Sequence, residues 1–246
     1  MRYDEQTVVL VPTSPIPRHP VADLIEECLD SIRHYFPSAP IRIMADGVRP
    51  QVGHRAHQYE LYKHAMFEMC ERKRFGNCEL RVFPEFSQQA IMTRETLRFE
   101  ERPLVLFVEH DAILRRDPAI EWEQIADVIL SGNANMVRLY QWEKIWHEHQ
   151  HLMHGEFDHS GVKFIRTTQY SQWPNMGSLA YYRMFLGKYF AQNQRSMIET
   201  VMYSPVLREG WDNHKVVIYA PENMLTFNHR DGRTDQASGK RDPGDW

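Results

Sequence analysis

Leu104–Leu114, LVLFVEHDAIL, constrains this chain more than any other stretch. Leu104 to Val108 is an unbroken apolar run entered through Pro103. A run that short, rich in branched residues and without a polar position to face water, predicts a central strand buried on both faces. Such strands belong to parallel sheets covered by helices. The run stops abruptly at Glu109, His110 and Asp111. Open α/β sheets bind ligands beyond the carboxyl ends of their strands, so two carboxylates arrive where a ligand is expected. Positions 109 and 111 are two apart, and on an extended backbone both side chains leave on the same face. Paired hard oxygens suit a divalent cation such as Mg2+ or Mn2+, which also takes phosphate oxygens from a substrate. The bland alternative is a solvated strand end.

The order of elements before and after this strand fits a parallel sheet. Thr7–Val11 is a second buried strand, and PTSPIP at 12–17 is a stiff loop that cannot continue it. Pro20 suits a first helical turn. Val21, Leu24, Ile25, Cys28, Leu29 and Ile32 then recur at helical spacing, and Phe36-Pro37 closes that helix. Ile41–Met44 is the next strand, ending in Ala45-Asp46-Gly47. This β-α-β opening predicts a right-handed crossover. Further on, the pattern predicts a helix over 57–74 with Leu61, Tyr62, Ala65, Met66, Met69 and Cys70 on its apolar face and Gly76 at its end. A strand over 80–83, a helix over 88–99, a helix over 120–130 closed by Gly132 and a strand over 136–140 follow. After Gln141 the pattern blurs into a His-rich segment reaching His159. Strands at 162–167 and 176–182, helices at 183–191 and 196–202 (the latter ended by Pro205), and a strand at 216–219 complete the expectation. From His229 the chain is polar and reads as a tail.

Composition narrows the function classes. With 246 residues, 42% of them apolar, the chain can bury one large core. A formal net charge of -4 leaves no basic footprint for nucleic acid. Cys28, Cys70 and Cys78 are an odd count without metal-ligand spacing, so buried thiols in a reducing compartment are expected. The polar start MRYDEQ and the lack of any apolar stretch near 18 residues predict a cytoplasmic protein without a membrane span.

Several single residues point to chemistry, each with a plain alternative. A Gly-rich dinucleotide fingerprint, a P-loop lysine motif and a nucleophile elbow are all missing, which disfavours three common α/β enzyme classes. His147-Glu148-His149-Gln150-His151 matches H-E-x-x-H, which on a helix places two imidazoles on one face as in zinc peptidases. With 13 histidines in the chain, several of them here, chance also explains the match. Asp46 is either a turn aspartate or an acceptor for base or ribose hydroxyls. Arg94 is either on a solvated helix face or a cation over a diphosphate. Glu199, set among apolar residues in SMIETVM, is suited by desolvation to general-base work or lies on an exposed helix face. His229 is either a late metal ligand or the start of the tail.

Together, PTSPIPRHP, DGVRP, FVEHD, VRLYQ, MIETVM and HRDGR, in that order, resemble the GT-A fold of nucleotide-sugar glycosyltransferases. The closer resemblance is to a group of small glycosyltransferase-like proteins of tailed phages and actinobacteria. It implies an α/β, Rossmann-like, mostly parallel central sheet flanked by helices. One domain would span 1–228, and a tail over 229–246 would contribute His229. Asp111 resembles the metal-binding last acid of the DXD element, and Glu109 the first, which faces ribose and metal-bound water. Glutamate at 109 with His110 between departs from the commonest pattern. Pro12, Thr13 and Asp46 resemble nucleotide contacts, Glu199 the base of inverting members, and His229 the histidine that completes the metal site. The resemblance further implies Mn2+ or Mg2+, a UDP-linked sugar donor and transfer of a hexose to an acceptor hydroxyl. Hydroxymethylated bases in phage DNA are among the acceptors of this broad class, and a phage-encoded member would act in the host cytoplasm. The competing readings are a zinc peptidase and a non-catalytic nucleotide-sugar-binding protein.

Overall fold

The computed structural model describes residues 2–222 and 224–230. Its elements run β1 (Thr7–Thr13), α1 (Asp23–Tyr35), β2 (Ile41–Ala45), a 3-10 segment (Pro50–Arg55), α2 (Ala56–Glu71), β3 (Cys78–Val82), α3 (Gln88–Leu97), β4 (Leu104–Phe107) and β5 (Ala112–Leu114). Then come α4 (Trp122–Leu130), β6 (Met136–Arg138), a second 3-10 segment (His147–Leu152), β7 (Met153–His159), β8 (Val162–Thr167), β9 (Asn175–Ser178), α5 (Leu179–Tyr189), α6 (Ile198–Glu209), α7 (Trp211–His214), β10 (Val216–Tyr219) and β11 (Phe227–His229).

Nine strands form one sheet in the order β3-β2-β1-β4-β9-β6-β10-β8-β7. β9 and β8 run against the remaining strands, so the sheet is mixed but mostly parallel. β4 lies centrally, as its apolar run predicts, and all four of its residues are buried. Alternation along the strands divides the core. Val9, Val11, Ile41, Leu104 and Leu106 face α1, α2 and α4. Val8, Leu10, Met44, Val105 and Phe107 face α3, α5 and α6. The period-2 pleat thus builds a three-layer α/β/α unit from one sheet. In register, Thr13 pairs with Ala45 and Leu10 with Phe107, so β1, β2 and β4 all end along one edge.

β5 and β11 lie outside this sheet and pair with each other, with His229 opposite Ala112. His229 therefore lies within a strand. Residues 231–246 of the expected tail lie outside the described residues.

Four local expectations also change. The segment 153–159 is β7, joined to β8 by Ser160 and Gly161, both at positive φ. That is the backbone a two-residue hairpin loop requires. The strand expected over 176–182 ends at Ser178, whose hydroxyl accepts the Tyr181 N–H at 3.1 Å and starts α5 four residues earlier than the pattern predicts. α6 continues through Pro205. Ile198, Met202, Pro205 and Val206 are all buried at helical spacing, and this burial outweighs the lost N–H. Leu61, expected in the core, is 48% exposed, because α2 turns Tyr59, Tyr62, Met66 and Met69 inward instead. Of the thiols, Cys28 is buried, while Cys70 and Cys78 are half-buried with their sulfurs 3.7 Å apart.

Candidate functional site

The shared edge of β1, β2 and β4 opens into a cleft of about 210 Å3. Pro12, Thr13, Asp46, Glu109 and Asp111 all line it, so the strand ends bring together five of the residues singled out from sequence. The loop after β1 rests on aromatic side chains beneath. The Thr13 hydroxyl lies 3.2 Å from the Tyr62 hydroxyl, and the Tyr59 hydroxyl donates to the Thr13 carbonyl at 3.3 Å. The His19 ring stacks on Tyr62 with centroids 3.8 Å apart. Burial, with smaller contributions from His110 and Arg55, holds the His19 imidazole down to a pKa of about 3, so it is neutral.

Asp46 does two things. It lines the cleft, and its carboxylate accepts the backbone N–H groups of Gly47 at 2.8 Å, Ser87 at 2.7 Å and Gln88 at 3.1 Å. These bonds fasten the start of α3 to the end of β2, so the turn-aspartate reading holds alongside the cleft position. Burial pushes the Asp46 carboxyl up despite the pull of the three amides. Gln88, held this way, has a φ of 58°, a left-handed conformation uncommon outside glycine.

Beyond β4, Glu109, Asp111 and His229 meet. Each offers one ligand atom, and the three atoms lie within 4.8 Å of one another. His229 Nε2 is 3.4 Å from Asp111 Oδ2. The β5–β11 pairing makes this possible, and the Arg230 N–H donating to the Asp111 carbonyl at 2.9 Å locks it. A test of fit comes from geometry. Ligands on opposite sides of an octahedral ion at 2.1 Å stand about 4.2 Å apart, so this set closes on an ion with sub-ångström movement. Two carboxylates favour Mg2+ or Mn2+.

Gln89 is the residue that sequence reasoning missed. Its side chain is buried, donates from Nε2 to Glu109 Oε1 at 2.9 Å and accepts the Ile198 N–H at 3.3 Å. It thereby links a metal-ligand candidate to the first residue of α6, next to Glu199. No motif marks it; only the cleft wall formed by α3 does. Arg49, in the DGVRP phrase, is a second such residue. It lines the cleft with its guanidinium 5.4 Å from the Phe86 ring centroid.

Arg94 and the His-rich segment both lie away from the cleft lining. Arg94 does not reach the cleft. Its guanidinium donates to the carbonyls of Leu186, Phe190, Ala191 and Gln192, tying α3 to the end of α5. The His-rich segment forms a 3-10 turn over His147–Leu152, not an α-helix. With three residues per turn, positions 147 and 151 point about 120° apart and do not share a face. Among the described residues only Glu109, Asp111 and His229 cluster as metal ligands. Glu199 lies in the first turn of α6 and is exposed, so the desolvation expected from its apolar neighbours is not present. Its Oε2 accepts the Gln172 N–H at 3.1 Å, and Met197, two residues earlier, lines the cleft.

Neither a protein-family model nor a curated protein sequence matches this chain. Solved structures match it in fold. The mannosyltransferase PcManGT from Pyrobaculum calidifontis, in complex with GDP-Man and Mn2+, superposes with a TM-score of 0.58 at 14% identity over 95% of this chain. S. aureus TarS 1-349 in complex with UDP-GlcNAc superposes with a TM-score of 0.56 at 13% identity over 90% of this chain. The present chain spans 58% and 57% of those two chains. The likeness establishes the fold as that of GT-A-type glycosyltransferases.

Proposed function

We propose that this chain transfers a sugar from a nucleotide-sugar donor to an acceptor hydroxyl, with a divalent cation held by Glu109, Asp111 and His229. The observation that carries the reading is the convergence of those three side chains at the strand edge where Pro12, Thr13 and Asp46 also line one cleft. A bound Mn2+ or Mg2+ supplies charge neutralisation for the departing diphosphate. Pro12, Thr13 and the Asp46 loop form the wall against which a nucleoside lies, and the resemblance in sequence points to a UDP-linked donor. Arg49 takes over the part first given to Arg94, a cation facing the diphosphate from the cleft wall. Gln89 orients Glu109 through its 2.9 Å bond. Glu199 removes the proton from the acceptor hydroxyl, which gives inversion at the transferred carbon. Its position supports this: α6 starts from the Gln89 side chain, one hydrogen bond from Glu109. All of these groups belong to one domain. No helix among the described residues is long and apolar enough to cross a membrane.

The test is turnover. Incubation with UDP- and GDP-sugars, Mn2+ and a panel of sugar and other hydroxyl acceptors should release nucleoside diphosphate, and Glu199→Gln should slow release by about 10²–10⁴, the range for a lost general base. Donor affinity should change little, because the base acts on the acceptor. A protein that binds donor with Mn2+ but never releases diphosphate is a binding protein and not a transferase.

A further inference from the structure

The segment between β6 and the second 3-10 turn carries aromatic side chains that the cleft does not use. The Trp142 ring lies 4.2 Å from that of Trp146 and 4.6 Å from that of Trp173, centroid to centroid. Trp142 and Trp173 are held from behind by a small core of Tyr140, Ile165 and Ile218. Trp146 is the outermost ring and is 44% exposed, with the His149 imidazole nearly parallel to it at 16°. The result is a cluster of three indoles whose outermost ring, Trp146, is partly open to solvent.

This platform is continuous with the proposed site. Trp173 meets Phe227 edge-on at 6.0 Å, two residues before His229. The N–H of Gln172, next to Trp173, is the one that holds Glu199. Polar groups flank the rings. Gln169 Nε2 lies 3.0 Å from His149 Nδ1. The buried Arg138 lies over Trp173 at 5.7 Å and donates from Nη1 to the Gln169 carbonyl at 2.6 Å. Its Nε and Nη2 have no hydrogen-bond partner among the described residues.

We propose that Trp142, Trp146 and Trp173 form the acceptor subsite and that the acceptor is a sugar ring; the inference rests on the glycosyltransferase reading above. The negative face of an aromatic ring attracts positively polarised hydrogens. The axial C–H groups of a pyranose supply such hydrogens on one flat face. His149 and Gln169 supply polar groups beside the rings for its hydroxyls. A nucleobase also stacks on aromatic rings, but a polynucleotide brings phosphates that need lysines and arginines. The 141–152 segment holds Lys144 against Glu143 and Glu148, within a chain of net charge -4. Arg138 is fully buried, so the exposed segment carries no cationic patch and favours a neutral sugar over DNA.

The experiment is a titration of the full chain, with Mn2+ and UDP present, by the methyl β-glycosides of glucose, galactose and N-acetylglucosamine, followed by tryptophan fluorescence. We expect a saturable change with at least one glycoside, weakened at least tenfold in Trp146→Ala and less in Trp146→Phe. Mn2+-dependent UDP affinity should be the same in all three proteins, which also shows that the variants are folded. No saturable change with any glycoside, or equal affinity in Trp146→Ala, overturns the proposal. Binding of a hydroxymethylcytosine oligonucleotide that depends on Trp146, without glycoside binding, also overturns it in favour of DNA. Failure of UDP to bind while a glycoside still does would refute the donor site and leave the platform standing.

Discussion

Replacing Gly47 with alanine should loosen the cleft from beneath. A Cβ at this position would lie 2.2 Å from the Glu85 carbonyl carbon, 2.4 Å from the Phe86 nitrogen and 2.6 Å from the Glu85 oxygen. Ordinary contacts between such atoms are about 3.5–4.0 Å, so the 85–86 backbone must retreat by roughly an ångström. All three obstacles are backbone atoms, and no side-chain rotation relieves them. Overpacking usually costs about 1–3 kcal/mol, and a backbone clash belongs at the upper end, about 3 kcal/mol. In a chain of this size each kcal/mol lowers Tm by about 2–4 °C, so the expected drop is roughly 6–12 °C. The retreat also pulls on Ser87 and Gln88, whose amides Asp46 holds, and then on Gln89 and Glu109. Mn2+-dependent affinity for a nucleoside diphosphate should therefore fall with Tm. Gly53→Ala is the matched control in the next segment, because a Cβ there meets nothing within 4 Å. Scanning calorimetry and titration calorimetry on both variants decide the matter. If Gly47→Ala behaves like Gly53→Ala in both, the reasoning about close packing beneath the site is wrong.

Two further outcomes are expected. Arg94→Ala should lower stability by about 1–3 kcal/mol, because a guanidinium bonded to four carbonyls is removed; it should leave donor affinity unchanged, and a selective loss of affinity would return Arg94 to the site. His19 is held neutral with a pKa of about 3. Below the ordinary histidine value the unfolded chain therefore binds a proton that the folded chain refuses. This contribution to stability is full above about pH 6.5 and declines as pH falls towards 3, by about 1.4 kcal/mol per unit. Urea titrations between pH 7 and 5 should show a shallower slope in His19→Gln, by close to one proton; equal slopes would contradict a neutral buried His19.

How far the sequence led depended on the range of the interactions involved. β4 and its acidic end were legible because an unbroken apolar run bounded by Pro103 allows little else. β1, α1 and β2 followed from local periodicity and prolines in the same way. β7 was not legible: it is an edge strand, mostly exposed or half-buried, so no apolar alternation marks it. Its only local mark is the Ser160-Gly161 turn, which the structure shows at positive φ. Local rules make Pro205 a helix stop, yet the buried stripe from Ile198 to Val206 overrides them. Arg94 could not be placed without knowing where α5 ends, since all of its partners lie there. Gln89 gave no signal for a related reason: its two partners, Glu109 and Ile198, are 89 residues apart in the chain. His229 was suggested by resemblance, but the cause of its position is the β5–β11 pairing, a contact across more than a hundred residues.

The central claim is that Glu109, Asp111 and His229 hold a divalent cation at the mouth of a nucleotide cleft. Asp111→Asn tests it most directly, because the change keeps the side chain's shape in a buried position while removing its charge. Titration calorimetry with UDP and GDP, each with Mn2+ and with a chelator, should give binding by the parent protein that requires Mn2+. In Asp111→Asn that Mn2+-dependent binding should be lost while thermal unfolding remains cooperative. Equal Mn2+-dependent affinity in parent and variant would remove Asp111 from the site and contradict the account.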